Sequence, residues 1–271
     1  MNQSLFDEQG RRLPYDGMRV YNVVSRRYYK LNQPDFRFDA VLGRLNEHVK
    51  TGEFTSAKRF ESACLDLKRS IESDVSLRNI FKGVHVPFAI PRDAREIDIG
   101  EELEDRWLPA VERSFTRSFP EYHFKAAVQG DLPLKMNLRV EGKSRYEQFL
   151  QARRRGVVVG WYFPEALQEY DVASQRRQTD TLPLQERLVL SGGFDTAAAL
   201  VGSPELLINR EFYPPILCLS AFQHVDERLM LCFKAYGLSL EFWCMSQMLT
   251  PTTTQVSEQW AGGLTLFVPV D

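Results

Sequence analysis

The sequence predicts an α+β protein, with helices over about residues 34–119 packed on a mostly antiparallel sheet drawn from the later chain. Three observations predict it. Apolar residues recur at helical spacing in three stretches before residue 120. Beyond it they run together or alternate over strand lengths. The elements come helices first and strands late, which favours segregation over alternating βαβ units.

The first 17 residues are polar and turn-rich, with Gly10, Pro14 and Gly17, and Arg19–Val24 reads as a short strand. Pro34 and Asp35 open a helix whose buried face is Phe38, Val41, Leu42, Leu45 and Val49, and Gly52 ends it. A second helix starts near Thr55 with Phe60, Ala63, Cys64, Leu67 and Ile71 on one side. Residues 83–91 are extended up to Pro91. A third helix over about 100–119 carries Leu103, Trp107, Val111, Phe115 and Phe119, with acids in its first turn and Pro120 as its stop. The acids Glu101, Glu102, Glu104 and Asp105 read as an exposed helix start.

Tyr122–Val128 and Leu134–Val140 read as strands. Ser144-Arg145-Tyr146-Glu147 has the form of a capping box, Arg153–Arg155 suit the carbonyl end of the helix it starts, and Gly156 suits a left-handed stop. Val157–Phe163 is a buried strand. Residues 171–187, with Arg176 and Arg177, read as an exposed loop. Leu188–Leu190, Ile216–Phe222 and Leu264–Val270 are strands, and residues 227–242 form a hairpin about Tyr236-Gly237, with a helix ending at Gly237 as the competing reading.

Charge divides the chain unevenly. Residues 1–155 form a helix-rich, net basic region with 28 Lys and Arg against 23 Asp and Glu. Residues 156–271 form a strand-rich, net acidic region with 6 against 13. A seam near Gly156 fits this offset, and so does one continuous domain joined through Val157–Phe163.

Met1–Glu8 offers neither a basic start nor an apolar stretch, so no secretory signal is expected. The longest apolar runs span about seven residues where a membrane helix needs about 20, so no membrane partner is expected. Cys64, Cys218, Cys232 and Cys244 form no C-x-x-C and read as buried free thiols of a reducing, bacterial-type cytoplasm. His48, His85, His123 and His224 are scattered, and no metal site is expected. With no coherent catalytic constellation, the leading expectation is a non-catalytic binding or assembly protein. It needs no cofactor and engages a protein partner or a second copy of itself.

Two motifs support rival expectations. The run Leu188-Val189-Leu190-Ser191-Gly192-Gly193-Phe194-Asp195-Thr196 resembles the S-G-G-x-D-[S/T] loop of the PP-loop ATP pyrophosphatases. The resemblance implies an ATP-dependent adenylating enzyme. In it Ser191, Gly192, Gly193 and Thr196 would cradle pyrophosphate and Asp195 would help hold Mg²⁺. It covers about nine residues, and 75 residues follow Thr196 where the family normally has well over a hundred. The same residues also make a plain strand-to-helix turn with Asp195 as N-cap, which is the preferred reading. The second motif, Arg26-Arg27-Tyr28-Tyr29-Lys30, interleaves cations and aromatics as nucleic-acid binding requires. A solvated face is the plainer account, and the pI of about 6.2 argues against a dedicated binder.

Overall fold

A computed structural model describes residues 4–18, 20, 28–49, 54–96, 98–128, 133–183, 187–246 and 258–270. The fold is α+β. Among the described residues a mixed, mostly antiparallel sheet of eight strands is accompanied by a small sheet of two. The N-terminal helices α1 (Phe38–His48) and α2 (Ala57–Ser73) precede both sheets. The Arg19–Val24 strand falls outside the described residues except for Val20, which bridges to Tyr170.

The strands are β1 (Val86–Ile90), β2 (His123–Val128), β3 (Leu138–Val140), β4 (Val157–Gln168), β5 (Leu188–Leu190), β6 (Ile216–Cys218), β7 (Phe222–His224), β8 (Leu229–Tyr236), β9 (Ser239–Ser246) and β10 (Trp260–Val270). Their order in the large sheet is β1-β4-β10-β6-β8-β9-β2, with β5 also on β10, while β3 and β7 form the small sheet. Strands from both sides of Gly156 thus share one sheet.

The long antiparallel pair β4–β10 is its axis. β4 is covered on both faces, which is why it reads as a continuous apolar run. Side chains alternate along it. The Trp161 indole donates to the Cys64 carbonyl of α2 at 2.8 Å, and Tyr162 faces the other way, toward Ser191 and Gly263. The register shifts between Gly262 and Leu264, opposite the stretch of β4 that holds Pro164. Proline has no N–H for a regular ladder, so the irregularity falls where the ladder would fail. The expected hairpin is present as β8–β9. Gly237, at φ +57°, takes the positive-φ place that a two-residue hairpin turn needs.

Several elements differ from expectation for local reasons. The third helix is α3 (Ile99–Glu102) and α4 (Leu108–Ser118) joined by a π turn at Leu103–Trp107. Pro109 has no N–H to continue the ladder and crowds the carbonyl four residues back. The capping box does not form. Arg145 sits at φ +60°, its guanidinium donating to the carbonyls of Thr179, Leu182 and Pro183, and α5 (Tyr146–Arg155) starts one residue late. Ser144 Oγ then accepts from the Tyr146 amide at 3.1 Å instead. Gly156 is extended, φ −161°, and not left-handed.

Of the stretch 171–187 read as an exposed loop, residues 184–186 lie outside the described residues and residues 171–183 do not form one. They hold α6 (Val172–Arg176), capped by Asp171, and a 3₁₀ turn at Arg177–Thr181 with Ser174, Gln175 and Gln178 buried. Polar residues are tolerated inside because they bond backbone. Gln175 Nε2 donates to the Tyr170 carbonyl at 2.9 Å and Arg176 donates to the Ser220 carbonyl at 3.2 Å. The strand expected over Ile216–Phe222 divides after Cys218, and its second part joins the small sheet. The strand expected over Leu134–Val140 forms only at Leu138–Val140.

Of the acidic helix start, Asp105 is exposed as expected but Glu102 is not. Glu102 is 5% exposed and meets Arg153 of α5 in a paired contact of 2.7 and 2.5 Å, while accepting from Arg106 at 3.0 Å and the Trp107 indole at 3.1 Å. Asp93 joins this cluster, and hydrogen bonding from Arg95 leads the causes that hold its carboxyl at about 2. Removing one member of a buried pair strands its partner's charge. Glu102→Ala is therefore expected to cost about 3–5 kcal/mol in urea unfolding. Arg154→Ala, at an exposed neighbour, should stay within about 0.5 kcal/mol. Equal losses for the two variants would show that the cluster does not fasten α3–α4 to α5.

Candidate functional site

The loop Ser191–Thr196 leads from β5 into α7 (Gly193–Gly202), a helix buried at every residue. Its N-cap is Gly192, and Asp195 lies at the third helical position, where Oδ1 accepts the Gly192 amide at 3.0 Å. Asp195 is thus not the N-cap residue. The same carboxylate accepts the Tyr146 hydroxyl at 2.8 Å and the Thr265 hydroxyl. With the Thr265 proton given to Asp195, Ser191 Oγ donates to Thr265 Oγ1 at 2.7 Å. Ser191, Asp195, Thr196 and Thr265 are wholly buried.

The two glycines permit close approach, and what approaches is a set of rings. A Cβ on Gly192 would lie 2.8 Å from Phe222 and 2.9 Å from Tyr146, and one on Gly193 would lie 2.8 Å from Phe222. Aromatic side chains thus pack against both glycines of the loop that resembles a PP-loop, and both Asp195 oxygens are engaged. This arrangement starts a buried helix. Among the described residues, no group of three or more His, Cys, Asp and Glu is placed to hold a metal ion.

The described part of the second motif, Tyr28–Lys30, lies at the surface. Arg26 and Arg27 fall outside the described residues. Tyr28, Tyr29 and Lys30 run beside residues 212–214. The Lys30 amide donates to the Tyr213 carbonyl at 3.0 Å and the Tyr213 amide to the Tyr28 carbonyl at 3.1 Å. Asn209 secures the approach, its Oδ1 accepting the amides of Glu211 and Phe212 and its Nδ2 donating to the Lys30 carbonyl. The Tyr29 and Tyr213 rings are 6.1 Å apart, and the Lys30 ammonium lies 4.8 Å over the Phe212 ring.

Beside this junction opens a groove of about 390 Å³ between residues 207–214 and the β8–β9 turn, with Tyr122 also on its wall. Tyr213 is 70% exposed and Tyr236 79%, with Tyr28 and Leu238 also open to solvent. Among the described residues seven large apolar side chains are exposed, and of these Tyr213 and Tyr236 line the groove. Arg210 on the groove wall makes no ion pair with any described residue. The groove's size falls in the range of ligand sites, roughly 300–1,000 Å³.

Sequence reasoning reached Tyr28–Lys30 and missed Arg210, Phe212, Tyr213 and Tyr236. The available signal was Phe212-Tyr213 between a turn at Asn209 and Pro214-Pro215, a place where aromatic residues are held in a loop and not in a core.

Comparison with known proteins bears on neither region. No protein-family model, curated protein or solved structure matches the chain. No helix among the described residues is long and apolar enough to cross a membrane.

Burial raises the Asp195 carboxyl to about 6, against the opposing hydrogen bonds from Thr265, Tyr146 and Gly192. A raised folded-state value means the folded protein binds the proton more tightly than the unfolded chain. The stability Asp195 contributes is therefore fully present below about pH 4 and is lost as pH rises through about 6. A carboxyl carried from about 4 to about 6 on folding accounts for about 3 kcal/mol at most. Urea unfolding of the wild type and Asp195→Asn should diverge by a sizeable part of this between pH 4 and 7, the wild type losing more. Parallel pH curves for the two proteins would sink the assignment.

Proposed function

We propose that the chain is a non-catalytic binding protein, and that the groove beside Tyr213 holds a single-stranded nucleic acid. The observation that carries this reading is the exposure of Tyr213 and Tyr236 on the groove wall with Arg210, beside the segment Tyr28–Lys30. Single-strand binding needs flat rings for the bases and cations for the backbone. Exposed aromatic rings bury poorly solvated surface when a base stacks on them, at about 1–3 kcal/mol per base. The two cations supply the phosphate contacts, and Arg26 and Arg27 directly precede Tyr28 in the chain.

The local frame supports recognition by rings. Lys30 and Asn209 hold residues 209–213 against the Tyr28–Lys30 segment through backbone bonds, so the walls stand in place before a ligand arrives. Preorganisation of this kind lowers the entropy lost on binding. The chain's net charge of −2 is compatible with modest affinity that depends on local cations.

Fluorescence anisotropy with a labelled oligothymidylate at low salt tests this. Binding is expected in the micromolar range and should be weaker for a duplex of equal length. Tyr213→Ala should weaken it about tenfold. Arg210→Ala should lower the slope of log K against log salt by about 0.7, the value of one phosphate contact on a single strand. No anisotropy change at about 100 µM protein would overturn the reading.

A further inference from the structure

We propose that a second hollow, at the C-terminal end of α5, binds the phosphate group of a small ligand. It measures about 170 Å³ and lies between α5, the end of β10 and Arg187. Gln148, Gln151 and Arg155 line it from α5, at spacings of three and four residues that place them on one face of the helix. Ala152 lies between them, and its single methyl leaves the hollow open. Phe267, held edge-on by Phe149 with ring centroids 5.1 Å apart, gives an apolar floor.

The two arginines are the reason for naming phosphate. Arg155 and Arg187 are both exposed, and neither makes a hydrogen bond or ion pair through its side chain with any described residue. Among the described residues no acidic side chain lines the hollow. The structural role that a basic residue would have at the end of α5 is already filled. The Arg154 carbonyl accepts from Arg92 at 3.3 Å, the Arg153 carbonyl from the Asp93 amide at 3.2 Å and the Ala152 carbonyl from the Gly156 amide at 3.1 Å. An anion placed between two arginines that line one small hollow would gain from both charges. Their planar forks match phosphate oxygens in pairs, and the two carboxamides can donate to the oxygens left over.

The volume limits the ligand. It is well under the roughly 300 Å³ at which drug-sized ligand sites begin, which suits a phosphate group with a short carbon chain. The site is independent of the groove. Ile216, which follows the groove wall, pairs with Trp260 at the start of β10, and Phe267 lies about 20 Å further along that strand.

Thermal unfolding and calorimetric titration of the intact chain test the proposal, with inorganic phosphate and glycerol 3-phosphate as probes and chloride at matched ionic strength as control. Saturable binding with a raised melting temperature is expected for the wild type. It should weaken about tenfold in Arg155→Ala and in Arg187→Ala and be lost in the double variant. Tyr213→Ala should leave it unchanged, so failure here and failure of the groove reading are separable. Tighter binding of glycerol 3-phosphate than of phosphate identifies a phosphate monoester as the ligand, and equal binding identifies the free ion. An identical response in the double variant, or an equal response to chloride, overturns the proposal.

Discussion

Helix α7 is buried along its whole length, and a helix in that position must have its end groups satisfied by the protein and not by water. An unpaired buried amide or carbonyl costs about 1–3 kcal/mol, so several left open at one helix would consume a large part of a domain's stability. The structure answers at both ends. Asp195 takes the Gly192 amide at the start, while Ser114 Oγ donates to the Val201 carbonyl at 2.7 Å and Arg44 to the Gly202 carbonyl at the finish. Ser114 belongs to α4 and Arg44 to α1, so closing the helix ends also fixes where these helices stand. Asp195 in turn binds Tyr146 of α5 and Thr265 of β10, which ties the axis of the sheet to the same point.

This accounts for the phosphate-like appearance of Ser191–Thr196. A helix N-terminus presents amides that favour a negative group. A phosphate-binding loop leaves them for its ligand and uses glycine to let the ligand close. Here the negative group is Asp195, carried by the helix itself, and the glycines admit the rings of Tyr146 and Phe222. One electrostatic problem has two solutions with nearly the same residues, and six letters of sequence do not separate them. The rings that pack on the two glycines, Phe222 and Tyr146, arrive from distant parts of the chain, which the motif itself does not record.

What was legible in the sequence follows the same division. Elements set by local pattern were readable: the apolar faces of α1 and α2, the hairpin at Gly237 and the buried run of β4. Elements set by distant partners were not. Residues 171–183 read as a polar loop because Ser174, Gln175 and Gln178 are polar, yet they are inside, bonded to backbone that the sequence does not place near them. Glu102 read as a solvated helix start because its partner Arg153 lies 51 residues away. The capping box at Ser144 failed because three carbonyls beyond residue 178 claim Arg145. Of the candidate surface, only the contiguous Tyr28–Lys30 was visible, since Tyr213 and Tyr236 join it through chain pairing.

A net charge of −2 says little about either proposed site, because interactions between exposed charges fade over about 8 Å at physiological salt. The groove and the hollow lie farther apart than that, so each is governed by its own cations. At the groove Arg210 lines the wall, and Lys30 stands over Phe212 beside it, so that the proposed binding would rest on rings with cations assisting. In the hollow, Arg155 and Arg187 line the wall with one ring, Phe267, so that the proposed binding would rest on charge. The frame built around α7 contributes to neither chemistry directly. It contributes position: β10 passes from the neighbourhood of the groove at Trp260 to the hollow at Phe267, held between them by β4 and by Thr265 on Asp195.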